Sequence, residues 1–209
     1  MKLIDLTVKH FLDEVDSSSP APGGGSSSAL ISALGISLAR MVGHLTVTKK
    51  KFLNLEPEIQ TQFNETLNAL EQLKIQLTQL IDLDTDAYNK IVTAYRLPKT
   101  DELRKQKIED ATLGAIEVPE QIGLLSLEAL KHLSFVLAYG NQSAISDMGV
   151  SALSIATGVE GAVLNVLINL PGLSNETLIE QFKATTQTLL KEAHALRENI
   201  LALVYQALS

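Results

Sequence analysis

From Ala144 to Leu170 the chain is apolar nearly all round, with Asp147 and Glu160 its only charges. A helix of that composition has no side to turn to water, so it belongs at the centre of a bundle or between subunits. The two charges leave no uninterrupted apolar stretch of spanning length, and no membrane association is expected. The other segments also repeat at helical period. Hydrophobic residues make up 45% of the 209 and aromatics only 4%, so the core must be aliphatic. These features predict one all-α domain over residues 1–209: an antiparallel helical bundle around a buried central helix, completed as a dimer.

The helices read as Ile4 to Val15, Ser26 to His44, Glu58 to Tyr95, Asp101 to Tyr139, Asn141 or Ser143 to Leu170, and Ser174 to Leu208. Leu97-Pro98 and Pro171-Gly172 break the pattern, and Pro119 predicts a kink or a restart. Asp147, Ser151, Ser154, Gly158, Gly161, Asn165 and Asn169 fall on one helix face. Ser28, Ser32, Gly35, Ala39 and Gly43 form a matching stripe of small residues. The two stripes are expected to pack together, with Asn165 and Asn169 as a polar pin between helices.

Composition removes several function classes. A formal charge of −7 argues against nucleic acid as a partner, since phosphate contacts need basic residues. With no cysteine there is no disulfide, thiolate metal site or cysteine nucleophile. His10, His44, His132 and His194 show no metal-ligand spacing, so no metal is expected. The first sixteen residues carry Asp5, Lys9, Asp13 and Glu14, unlike a signal peptide, and a cytoplasmic location is expected.

Chemistry points to fewer places. Gly23, Gly24 and Gly25 precede Ser26 at the start of a helix. Three glycines suit close backbone approach or positive φ, and they leave N–H groups free for a ligand. The plainer reading is a flexible turn with Ser26 as N-cap. Asp84 interrupts the stripe of Leu77, Ile81, Tyr88, Ile91 and Tyr95, where a leucine would be expected. It is either a structural partner for an arginine or a helix N–H, or a cleft acid or base. Asp82 and Asp86 read as surface charges. Asp147 stands in the first turns of an apolar helix, where capping is the plain alternative to chemistry. The polar entry of that helix, from Gly140 to Ser143, can meet the glycine loop in space. Cations gather at Lys49, Lys50 and Lys51, and at Arg96, Lys99 and Arg104, to complement a helix end or hold an anionic ligand.

Taken in order, Pro20 to Ser26 (PAPGGGS), Met41 to Thr46 with Lys49 to Phe52, Asp82-Leu83-Asp84 with Ala87-Tyr88, Ala94 to Lys99, Val118-Pro119, Gly140-Asn141, Ser146 to Val150 and Asn165 to Leu170 resemble the cyclodeaminase/cyclohydrolase family of folate enzymes. Ser27, Ser28, Gly43, His44 and Thr48 depart from that family's usual residues and are expected beside its pocket. The resemblance implies an all-helical homodimer that binds a tetrahydrofolate derivative near the subunit interface, with no cofactor beyond that substrate. It implies cyclodeamination of 5-formiminotetrahydrofolate to 5,10-methenyltetrahydrofolate and ammonia, or hydrolysis of the methenyl compound to 10-formyltetrahydrofolate. Asp84 and Asp147 are then the candidate proton carriers. Gly23, Gly24, Gly25, Ser26, Tyr88, Asn141 and Ser146 are candidates for binding, with Lys49, Lys50, Lys51, Lys99 and Arg104 for the glutamate tail. A formiminotransferase partner would be a separate protein. The rival readings are another enzyme on the same scaffold and a non-catalytic dimerisation module.

Overall fold

The computed structural model describes residues 2–209, and among them every regular element is a helix. The α-helices are α1 (Val8–Val15), α2 (Gly24–Val47), α3 (Lys50–Leu53), α4 (Pro57–Tyr95), α5 (Arg104–Tyr139), α6 (Ile145–Asn169) and α7 (Glu176–Leu208), with short 3-10 turns at Leu3–Asp5, Gln142–Ala144 and Leu170–Gly172. Side-chain and capping chemistry marks the ends. Pro57 opens α4 at a position where its missing N–H costs nothing. Asn175, rather than the expected Ser174, caps α7 by accepting from Leu178 N at 3.1 Å. Ser174 instead hydrogen-bonds Glu109 on α5.

The five long helices run up, down, up, down and up. Contacts fix the directions. Gly24 lies level with Asn165 and Gly35 with Ser151, so α2 and α6 are antiparallel. Ser26 meets Asp84 while Arg40 meets Glu71, so α2 and α4 are antiparallel too. Ser126 Oγ donates to Ser32 Oγ at 2.7 Å, so α5 lies against α2 as well. Phe63, Ile116, Ile122, Leu130, Leu133, Ile155 and Leu189 are fully buried, and the core is mostly aliphatic, as composition requires.

The two small-residue stripes do pack together. A β-carbon on Gly158 would stand 2.9 Å from the Ser28 carbonyl, and Ser151 Oγ donates to Gly35 O at 2.7 Å. The buried central helix needs correction. α6 is covered by α2, α5 and α7, but Val150, Leu153, Leu164, Leu167 and Ile168 form an open apolar strip. Leu34, Met41 and Leu45 continue that strip on α2. By length and composition alone α2, α5 and α6 could each cross a membrane, contrary to the expectation for α6, because two charges in a long helix leave its mean hydropathy high. In the fold about half of each is buried against its neighbours.

Pro119 lies inside a continuous α5, not at a restart. Proline has no N–H to give the carbonyl four residues earlier, which here is Ala115 O. Asn169 Nδ2 donates to that carbonyl at 3.1 Å. Of the polar pin predicted at Asn165 and Asn169, only Asn169 joins two helices, α6 to α5, through the carbonyl that Pro119 leaves free, whereas Asn165 Nδ2 donates to Gly161 O in its own helix.

Candidate active site

The start of α2 is built around Asp84. Gly23, not Ser26, is the N-cap, and it has no side chain to satisfy the exposed N–H groups of the first turn. Asp84, reaching across from α4, does this instead. Its Oδ2 accepts from Ser26 N at 2.8 Å and lies 3.1 Å from Ser26 Oγ. Ser26 Oγ also lies 2.8 Å from Ile81 O and 3.1 Å from Thr85 Oγ1. A β-carbon on Gly25 would overlap the Asp84 carboxylate, and one on Gly24 would stand 2.8 Å from Asn165 Nδ2. Among the described residues no glycine has positive φ. The glycine run serves close approach: it lets a carboxylate and a carboxamide lie directly on the helix start.

Burial pushes the Asp84 carboxyl above its ordinary value, against the opposing pull of the two Ser26 hydrogen bonds. The second oxygen, Oδ1, accepts no hydrogen bond from the described residues. It occupies the side-chain space that Gly25 leaves, and Asp84 lines a cleft of about 260 Å³. Gly23 and Gly24, Tyr88, Pro119, Asn165 and Asn169 form the walls. Four separate segments thus converge on one partly desolvated carboxyl group.

The remaining candidates lie elsewhere in the protomer. Lys49, Lys50 and Lys51 follow the far end of α2, about 36 Å from the glycines at about 1.5 Å per residue. Asn141 is there too, its N–H donating to Thr46 Oγ1 at 2.8 Å, and it shares a second cleft of about 370 Å³ with Lys49 and Lys51. The Gly140–Ser143 entry therefore meets the opposite end of α2, not the glycine loop. An antiparallel α6 requires this, because its first residue lies level with the last turns of α2. Ser146 and Asp147 share that end, about 27 Å along α6 from Asn165. His44, Gly43 and Thr48 also lie toward it, so these departures from the family pattern do not border the Asp84 cleft.

Lys99 and Arg104 are at the glycine-loop end, in the α4–α5 connection. Arg104 is engaged in closing α4. Its Nε donates to Leu97 O at 3.0 Å and its Nη2 to Tyr95 O at 3.1 Å, and the guanidinium stands 5.8 Å from the Tyr95 ring centre. Lys99 is exposed. Asp82 is not a plain surface charge, since its Oδ1 accepts from Leu3 N at 2.6 Å and ties down the amino-terminal segment. Asp86 is exposed as expected. Among the described residues no group of acidic and histidine side chains is placed to hold a metal.

The structure is thus an all-helical bundle in which a partly desolvated carboxylate caps a glycine-rich helix start. Residues 7–188 match the family model described as formiminotransferase-cyclodeaminase. The chain is 37% identical to the methenyltetrahydrofolate cyclohydrolase of Methylorubrum extorquens, over 93% of each chain. It is 33% identical to the formimidoyltransferase-cyclodeaminase of Rattus norvegicus over 91% of its own length, but spans only 35% of that longer protein. The crystal structure of formiminotetrahydrofolate cyclodeaminase from Thermotoga maritima superposes with a TM-score of 0.80, at 26% identity, over 97% of this chain and 96% of that one. The chain belongs to the formiminotransferase-cyclodeaminase family.

Proposed function

We propose that this chain is a folate one-carbon enzyme, and that its reaction is the cyclodeamination of 5-formiminotetrahydrofolate. The observation that carries the reading is Asp84: a carboxyl raised by burial and anchored through Oδ2, with Oδ1 unpaired among the described residues, in the wall of a cleft of ring size. N10 attacks the carbon of the protonated formimino group to give a tetrahedral carbon bonded to N5, N10 and the amino nitrogen. Asp84 takes the proton from N10 and returns it to the amino nitrogen, which leaves as ammonia when its bond to carbon breaks. A raised pKa suits a group that must both accept and donate in one turnover. The addition–elimination transfers no electrons, and the proposal assigns no cofactor beyond the folate.

A second reading is favoured by the 37% identity over nearly full length to a cyclohydrolase. There Asp84 takes a proton from water as it adds to the methenyl carbon and returns it to N5 as the N5–carbon bond breaks, while the remaining hydroxyl proton leaves to solvent as the formyl C=O forms. The same atoms serve both reactions. An absorbance assay for methenyltetrahydrofolate decides between them. Appearance of the chromophore from 5-formiminotetrahydrofolate, with ammonia, identifies a cyclodeaminase. Accelerated loss of the chromophore alone identifies a cyclohydrolase. No enzyme-dependent change in either direction would overturn both.

The cleft takes a bicyclic ring but not the p-aminobenzoylglutamate tail, and its walls carry no cation. The proposal includes a homodimer that supplies one. The outer face of α2 and α6 leaves eight large apolar side chains between 38% and 74% exposed, a contiguous apolar surface of the kind that marks an interaction site. Antiparallel pairing of two such faces would bring the lysines that follow α2 in one protomer to the glycine loop of its partner. A formiminotransferase would deliver the substrate.

A further inference from the structure

Asn165 and Asn169 lie one turn apart on α6, and both line the Asp84 cleft. Their amide nitrogens are committed. Asn169 Nδ2 donates to Ala115 O at 3.1 Å and to Asn165 O at 2.9 Å, which uses both of its hydrogens. Asn165 Nδ2 donates to Gly161 O at 2.8 Å. Each of these partners is a carbonyl that can only accept, so the nitrogen and oxygen positions of both carboxamides are determined. Among the described residues nothing donates to either Oδ1. The cleft therefore holds two fixed acceptors, about 5–6 Å apart at their β-carbons as for any such pair on a helix.

A ligand that satisfies them must present two donors on one edge, separated by roughly a ring width. On the proposed folate reading, on which this inference rests, one edge of the reduced pterin does so. N8–H and the exocyclic 2-amino group flank the acceptor N1. That edge lies opposite N5, so binding through it turns N5 and its one-carbon unit away from α6. Asn165 packs against Gly24, next to Gly25 and the Asp84 carboxylate, and so lies on the reacting side. We propose that Asn165 Oδ1 accepts from N8–H and Asn169 Oδ1 from the 2-amino group, making Asn165 the residue that selects reduced over oxidised pterins. In an oxidised pterin N8 bears no hydrogen and presents a lone pair to the same oxygen.

Folic acid and 7,8-dihydrofolate form the test pair, since they carry the same tail and 2-amino group but only the second has N8–H. Their dissociation constants are measured by calorimetry on the wild type, Asn165→Leu and Asn165→Asp. The wild type is expected to bind dihydrofolate at least tenfold more tightly, as for one hydrogen bond set against a repulsive contact. Asn165→Leu should bring the two constants within about threefold, while Asn165→Asp, which keeps an acceptor, should retain the preference. A folded Asn165→Leu that keeps the wild-type ratio overturns the inference, as does a wild type that binds both ligands equally. A wild type that binds neither overturns the folate reading itself. Should Asn165→Leu fail to fold, the wild-type ratio together with that of Asn165→Asp decides.

Discussion

At Asp84 stability and chemistry pull in opposite directions. The folded state raises its pKa, so it holds the proton more tightly than the unfolded chain does. The contribution to stability is full below the ordinary carboxylate value and is lost as pH rises through the raised folded value. Asn at this position keeps an oxygen for Ser26 N and never ionises. Asp84→Asn should therefore melt at the same or a higher temperature than wild type near neutral pH, and lose that advantage in acid. Its turnover should fall by roughly 10²–10⁴, as for a lost acid–base group. Calorimetric melts between pH 3 and 8, beside the absorbance assay, check both halves. A stable variant with unchanged turnover would remove Asp84 from the chemistry.

The elements are tied together by groups that local rules leave incomplete. Pro119 deprives Ala115 O of its helical donor, and Asn169 on α6 replaces it. That bond also holds one wall of the cleft in place. Asn169→Leu should cost about 1–3 kcal/mol, the penalty for a carbonyl left without a partner. In a Pro119→Ala background the backbone N–H returns to Ala115 O, and the cost should shrink to well under half. Denaturant unfolding of the two single variants and the double variant gives the coupling. Additive effects would show that Asn169 acts through something other than this carbonyl. Pro119 is visible in sequence as a helix breaker, yet α5 continues through it. What rescues the helix is a side chain fifty residues away, which periodicity cannot identify.

For the whole molecule the decisive feature is the open apolar face. Leu34 is 58% exposed, Leu164 67% and Ile168 74%. Leu34→Glu combined with Leu164→Glu should leave the helical fold intact, since neither side chain is part of the core. The double variant should sediment as a monomer where the wild type sediments as a dimer. Sedimentation velocity with circular dichroism checks this, and a monomeric wild type would remove the dimer from the proposal. Assembly also bears on the scattered candidates. Lys49 to Lys51, Asn141, Ser146 and Asp147 stand at the opposite end of the bundle from Asp84, so within one protomer they do not share its cleft.

The helices, the aliphatic core, the small-residue stripes on two helices and the anomaly of Asp84 are all legible in the order of the residues. Each of these is local: periodicity within a segment sets which face is apolar, and one carboxylate in an apolar stripe is conspicuous without knowledge of its neighbours. Which ends of the helices meet is visible only in the folded chain. A helical period gives a face but neither a direction nor a level along the axis. Gly140–Ser143 therefore came to Thr46 and not to the glycines. The same limit hid the purpose of Gly25, which is small because Asp84 from another helix occupies its side-chain space. It also hid the free oxygens of Asn165 and Asn169, because a carboxamide's unused acceptor is defined only once its donors have found their carbonyls.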